Sequence, residues 1–213
     1  MPLNLPVLSN LSSKTIVLAS ASPRRREILT DMGLDFSVVT TLEPDENDPT
    51  AYKTRSEYVA DTAYMKAKEV FERCQQDPDL PTADIVIGAD TVVVKDECVL
   101  EKPRDKEHAL AMLQQLNGQS HYVLTGVQII YKINDKIERI EFVERSEVQF
   151  SQMDPEIIQA YVDSGEPFDK AGGYGIQGQA SLFVESIHGD YWNVVGLPKN
   201  HLFRELIKLS LRL

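Results

Sequence analysis

The run Ile85-Val86-Ile87-Gly88-Ala89-Asp90-Thr91-Val92-Val93-Val94 is the most apolar stretch of the chain, and it carries a single carboxylate at its centre. β-Branched residues dominate it, which predicts a buried strand. An isolated charge in such a strand is costly, so Asp90 must meet a cation, a metal ion or several donors. An aspartate that holds a strand break would satisfy that demand. So would one that performs chemistry or binds metal, and acids in apolar surroundings gather at such sites. Gly88 and Ala89 leave room for something to approach the backbone.

A second anomaly lies near the N-terminus. Thr15-Ile16-Val17-Leu18-Ala19 reads as a short buried strand, followed by Ser20-Ala21-Ser22-Pro23-Arg24-Arg25-Arg26 and then by Ile28, Leu29 and Met32 at helical spacing, with Gly33 as a C-terminal cap. Ser22 suits the N-cap and Pro23 the first helical position. Three arginines at the positive end of a helix are mildly unfavourable unless an anion sits with them. Serine hydroxyls, free backbone N–H groups and guanidinium forks on one turn form a receptacle for a phosphate chain, the alternative being a solvated basic turn. The net charge of -11 excludes a general nucleic-acid or anionic-membrane surface, so a phosphate site here has to be a local basic pocket in an acidic body.

Between and beyond these stretches the pattern alternates. Phe36 to Val39 reads as a strand, followed by an acidic loop from Thr40 to Thr50 whose carboxylates are solvated or hold a divalent cation. An amphipathic helix spans about Ser56 to Arg73. Lys66 falls on its apolar stripe, where it either snorkels to solvent or points into a pocket. Lys95-Asp96-Glu97 makes a hairpin turn, and Asp105 caps a helix that ends at Asn117-Gly118. Strands cover Tyr122–Ile133 and Ile137–Phe150, then comes a helix from Asp154-Pro155 to Gly165. Leu182-Phe183-Val184 looks like a strand, Asn193 to Gly196 a short strand or bend, and Pro198 starts the last helix. The long hairpin argues for a mixed sheet.

Gly173 to Gly178 spells GxGxxG, the one feature that suggests a nicotinamide-dependent oxidoreductase. It fails on context, because no strand leads into it and Leu182-Phe183-Val184 beyond it reads as a strand rather than a helix. It reads better as a loop where backbone and Gln177 face a ligand. Cys74 and Cys98 form no CxxC pair and are expected to be free thiols; the four histidines show no metal-ligand spacing. With no apolar run of transmembrane length and no signal-peptide pattern over residues 1–14, a cytoplasmic address is expected. At 213 residues the whole chain, 1–213, is expected to form one domain, with residues 1–13 a flexible extension.

Taken together, Ser20-Ala21-Ser22-Pro23-Arg24-Arg25, Gly88-Ala89-Asp90-Thr91-Val92-Val93, Glu101-Lys102-Pro103, His121 with Thr125-Gly126-Val127, Gly165-Glu166-Pro167 with Asp169-Lys170-Ala171-Gly172, and Val195-Gly196-Leu197-Pro198 resemble the Maf family of house-cleaning nucleoside triphosphate pyrophosphatases. The resemblance spans almost the whole chain. It implies an α/β fold with a twisted mixed sheet flanked by helices, related to the inosine triphosphatase fold, with two lobes around a central cleft. It implies hydrolysis of a nucleoside triphosphate to the monophosphate and pyrophosphate with a divalent cation, Mg²⁺ or Mn²⁺. By resemblance Asp90 matches the general base and a metal ligand. Arg24, Thr91 and Gln177 match positions tied to substrate choice, and Arg25, Lys66 and Lys102 match phosphate-handling cations. Ser20 and Ser22 belong to the substrate-binding turn, and Asp45 or Glu46 matches a further metal ligand. Ile176-Gln177-Gly178 resembles the branch acting on dTTP, UTP and related pyrimidines, and an amide with donor and acceptor suits a pyrimidine edge. The partner expected is therefore the nucleotide, with neither nucleic acid nor membrane, and with a homodimer left open. A non-catalytic nucleotide-binding regulator of cell division is the alternative reading.

Overall fold

The computed structural model describes residues 6–42 and 47–213, with side chains from residue 10 onward. The loop segment carrying Asp45 and Glu46, the two expected metal ligands, lies outside the described residues.

The strand-turn-helix unit forms as its sequence dictates. Strand β1 (Ile16–Ala19) is fully buried and leads to helix α1 (Pro23–Asp31), with Ser22 as N-cap and Gly33 in the left-handed region. Strand β2 (Ser37–Val38) comes next, then the long helix α2 (Arg55–Gln76), opened by a reciprocal capping box between Thr54 and Glu57. Strand β3 (Ile85–Lys95) turns through Asp96 and Glu97, both at positive φ, into the short β4 (Cys98–Leu100). Helix α3 (Lys106–Leu116), the hairpin β5 (Ser120–Ile133) and β6 (Lys136–Phe150), helix α4 (Pro155–Asp163), strand β7 (Val184–His188) and helices α5 (Tyr191–Val195) and α6 (Lys199–Ser210) complete the described chain.

The strands form one seven-stranded sheet ordered β2-β1-β3-β5-β6-β7, with β4 also on β3. β1 is parallel to β2 and to β3, while the pairs among β3, β5, β6 and β7 are antiparallel, so the sheet is mixed as expected. β3, β5 and β6 are long enough to run through two cores. One lies around β1, α1 and α6, with α2 on the opposite face of the sheet, and the other gathers α3, α4 and the far ends of β5 and β6.

β1 and β4 share one edge of β3. β1 pairs with it only as far as Gly88 and β4 only from Val93, so among the described residues Ala89 to Val92 have β5 on one side and no strand on the other. The cleft opens at this gap.

Helix α2 is seated unusually close to the sheet. A Cβ on Gly126 of β5 would come 2.5 Å from the Val59 carbonyl oxygen, and one on Gly88 would come 2.6 Å from the Ala67 Cβ. Two glycines in strands thus let a helix backbone approach. Gly88 and Asp90 are two apart and share a face of β3, so the helix seated on Gly88 also faces Asp90.

Two expectations are corrected. Asn193 to Gly196 is not a strand or bend but the end of α5: Asp190 accepts the Trp192 N–H at 2.8 Å as N-cap, and Gly196 at φ 125° stops the helix. These caps outweigh the β preference of Val194-Val195. Leu182 and Phe183 belong to a 3-10 turn and its cap, and the strand begins at Val184. Of residues 1–13, expected as an extension, 1–5 lie outside the described residues and Pro6–Ser13 is a 3-10 segment, with Leu11 buried in the core and Asn10 donating to the Ser210 carbonyl at 2.8 Å.

Candidate active site

The gap in β3 opens onto a cleft of about 910 Å³. Ser20, Ser22, Arg24, Arg25, Lys66, Asp90, Thr91, Lys102 and Gln177 all line it, although they come from separate parts of the chain. Every described residue expected at the site is therefore brought together.

Asp90 finds its cation in Lys66, whose Nζ lies 2.6 Å from Oδ1. Both side chains are largely but not wholly buried, at 14% and 19% exposure, so the pair is desolvated yet still reaches the cleft. Lys66 comes from the stripe of α2 seated against Gly88, and of its two readings the pocket-facing one holds.

Thr91, one residue on, points to the other face of β3. Its hydroxyl lies 2.9 Å from Arg25 Nη2, 3.0 Å from the Thr125 hydroxyl and 3.2 Å from the Gly196 carbonyl. Arg25 also donates from Nε to the Gly196 carbonyl at 2.9 Å, and from Nη1 to the Ser20 hydroxyl at 3.1 Å and the Ala89 carbonyl at 2.8 Å. Ala89 lies in the unpaired stretch of β3, so the guanidinium satisfies a carbonyl that no strand reaches. Burial pulls the Arg25 pKa below the usual arginine value, with Asp90 opposing and Arg24 adding to the effect. Four of the five N–H groups of Arg25 are thus engaged by protein, which makes it a brace for the α1 turn.

Arg24 lies 3.4 Å from Asp169 Oδ2, and Asp169 also pairs with Lys170. Burial pushes the Asp169 carboxyl up, but Lys170 and Arg24 outweigh it and hold the pKa below the usual carboxylate value. By contrast, Lys102 and Gln177 face the cleft without a side-chain hydrogen bond among the described residues, so their polar groups are available to a ligand.

Sequence reasoning assigned no role to several other lining residues. Glu101 accepts the Tyr58 hydroxyl at 2.9 Å, and Glu166 accepts the Tyr161 hydroxyl and the Gln179 N–H. Among the described residues five acidic side chains face five basic ones in the cleft, so the expected basic pocket is a balanced one within a chain of net charge -11. The signal for these acids was their place beside Pro and Gly in the segments 101–103 and 165–178, where loop residues meet ligands.

Among the described residues no group of three or more His, Cys, Asp and Glu could form a metal cage. The donor set nonetheless suits a hard cation. Mg²⁺ is usually held by one or two carboxylates together with substrate phosphates, and the Asp90 carboxylate offers such a ligand at the cleft. The segment 173–178 is entered from a 3-10 turn and leads to another, without the strand and helix of a dinucleotide fingerprint. No described helix is long and apolar enough to cross a membrane. Cys74 is buried and Cys98 exposed, both free.

A family model described as Maf-like protein matches residues 15–209. A human protein named probable bifunctional dTTP/UTP pyrophosphatase/methyltransferase protein is 48% identical over 208 residues, which cover 96% of this chain but 33% of the human protein. The chain thus spans about a third of that relative's length. A Thermoanaerobacter pseudethanolicus protein named dTTP/UTP pyrophosphatase is 44% identical over 188 residues, 88% of this chain and 93% of its own. A Bacillus anthracis protein of the same name is 44% identical over 198 residues, 93% of this chain and 97% of its own.

Proposed function

The chain belongs to the Maf-like protein family, and from that premise we propose that it hydrolyses pyrimidine nucleoside triphosphates, dTTP and UTP among them, to the monophosphate and pyrophosphate. The observation that carries this reading is the Lys66–Asp90 pair, a desolvated base and cation at the open edge of a strand in a cleft lined by further cations.

The triphosphate lies against the α1 turn, where Ser20, Ser22 and the helix N-terminus offer donors and Arg24 offers charge. Lys66 and Lys102 reach it from the other walls. Asp90 orients a water and takes its proton as the oxygen bonds to the α-phosphorus. The bond from that phosphorus to the bridging oxygen breaks, and pyrophosphate leaves carrying the electron pair. Positioning and fixed charge supply most of the acceleration in such a step. A divalent cation, Mg²⁺ or Mn²⁺, would be held by Asp90 with Asp45 or Glu46 and would supply charge neutralisation on the phosphate oxygens. Gln177 reads the pyrimidine edge, with Arg24 and Thr91 shaping substrate choice.

A binding-only nucleotide regulator draws no support from the cleft or from the relatives' names. The acidic body fits a cytoplasmic protein acting on soluble nucleotides, without nucleic acid or membrane as partner. The test is a panel of triphosphates with Mg²⁺ or Mn²⁺, scored separately for pyrophosphate and orthophosphate. Pyrophosphate from dTTP and UTP is expected. Orthophosphate alone, or nucleotide binding without turnover, overturns the reading.

A further inference from the structure

Gln177 makes no side-chain hydrogen bond among the described residues, so its aim depends on the turn that carries it. The Gly178 N–H donates to the Gly175 carbonyl at 3.0 Å, closing a turn with Ile176 and Gln177 at its tip. Ile176 packs against the core around β1 and α6, which fixes one flank.

The other flank rests on Glu166. One carboxylate oxygen accepts the Gln179 N–H at 3.0 Å and the other accepts the Tyr161 hydroxyl at 3.2 Å. The carboxylate sits so near Gly178 that a Cβ there would be driven into it. Burial and the neighbouring Glu166 push the Tyr161 phenol up, so it stays a donor to that carboxylate. The two ends of segment 166–178 are also zipped along their length, since the Lys170 stem lies over Gly175 while its Nζ donates to the Glu166 carbonyl at 2.6 Å.

The geometry points to Glu166 as a positioning residue for nucleobase selection, holding the 175–178 turn so that Gln177 meets the base at a fixed angle. This rests on the reading of the chain as a pyrimidine triphosphate pyrophosphatase with Gln177 at the base. Glu166 touches the backbone behind Gln177 and acts through it.

The experiment measures kcat/KM for dTTP and dGTP in the wild type, Glu166→Ala, Glu166→Gln, Gln177→Ala and the Glu166→Ala, Gln177→Ala double variant. A general loss of fold lowers both nucleotides together, whereas a released turn lowers their ratio. Glu166→Ala is expected to cut the dTTP:dGTP ratio by about tenfold. Glu166→Gln, whose amide oxygen can still accept from Gln179, restores most of it. In the Gln177→Ala background the loss of Glu166 should change the ratio no further. Should Glu166→Ala fail to fold, Tyr161→Phe removes one donor to the same carboxylate and is expected to lower the ratio by about threefold. A ratio unchanged in Gln177→Ala overturns the base-reading role of Gln177 and the proposal with it. A ratio lowered in Gln177→Ala but unchanged in Glu166→Ala, or in Tyr161→Phe where that variant stands in, overturns the proposal alone. So do fully additive losses in the double variant.

Discussion

Lys66 Nζ lies 2.6 Å from Asp90 Oδ1, joining the middle of α2 to the unpaired stretch of β3. The contact couples two requirements, since the carboxylate needs a cation to be tolerated in an apolar strand and the proposed hydrolysis needs both groups at one spot. Asp90→Asn is expected to lower kcat by about 10²–10⁴ while nucleotide still binds. Lys66→Met removes the partner of a largely buried carboxylate and should reduce both kcat and stability. Turnover together with isothermal titration of a nucleotide separates the two effects. Near wild-type turnover in Asp90→Asn would show that the roles are wrongly assigned.

Arg25 answers a different need. Its four donors tie the α1 turn to β3 and to the end of α5, a fork that a lysine cannot reproduce. Arg25→Lys is therefore expected to destabilise the fold by roughly 2–4 kcal/mol through unsatisfied carbonyls, with the loss of activity tracking the loss of structure. Chemical denaturation checks this. A variant of native stability that loses only substrate affinity would instead make Arg25 a direct phosphate ligand.

Gly126→Ala probes the seating of α2. The added methyl meets the Val59 carbonyl, so the helix must lift, at an expected cost of roughly 1–3 kcal/mol. For a chain of this size that corresponds to a fall in Tm of about 2–12 °C. Because α2 carries Lys66, kcat should fall as well. Scanning calorimetry and turnover on one preparation test the link, and a loss of stability with unaltered kcat would break it.

His121 gives the fold a pH dependence. It is buried against Phe150 and Tyr174, with Nε2 2.7 Å from the Tyr174 hydroxyl. Burial lowers its pKa from 6.5 to about 4, a backbone contact at Gln119 opposing and Lys95 adding. The unfolded chain thus takes up a proton that the folded one refuses. The contribution of the neutral ring is fully present above pH 6.5 and is lost as pH falls through 4, amounting to roughly 3 kcal/mol over that window. Urea midpoints from about pH 7 to about pH 4 should show this slope, and His121→Gln should flatten it. An equally steep slope in the variant would assign the loss to other groups.

Particular residues show how far the sequence carried. The carboxylate in β3 and two of the three arginines at the helix start, each against local preference, do line one cleft, whereas Arg26 lies at a separate depression beside Thr30 and Phe36. The partnership of Lys66 with Asp90 was not readable, since it depends on how closely α2 sits on Gly88 and Gly126. The engagement of Arg25 was equally hidden, because its acceptors include a carbonyl left open only where β1 and β4 stop short of one another. Residues 193–196 misled for the opposite reason: two valines spoke for a strand, while Asp190 and Gly196 capped a helix. Glu166 lay in a recognisable motif, but its contact with the Gln179 amide is a matter of loop path that spacing does not encode.

The bare edge of β3 from Ala89 to Val92 has a further consequence. Unclaimed amides on a flat strand are a template for a foreign one, and most proteins hide them. Here the Arg25 guanidinium takes the first open carbonyl, so the side chain that braces the cleft also occupies a position a foreign strand would need. Extending β1 by four residues would close that margin and give a better barrier against misassembly, but the cleft would be filled in the process.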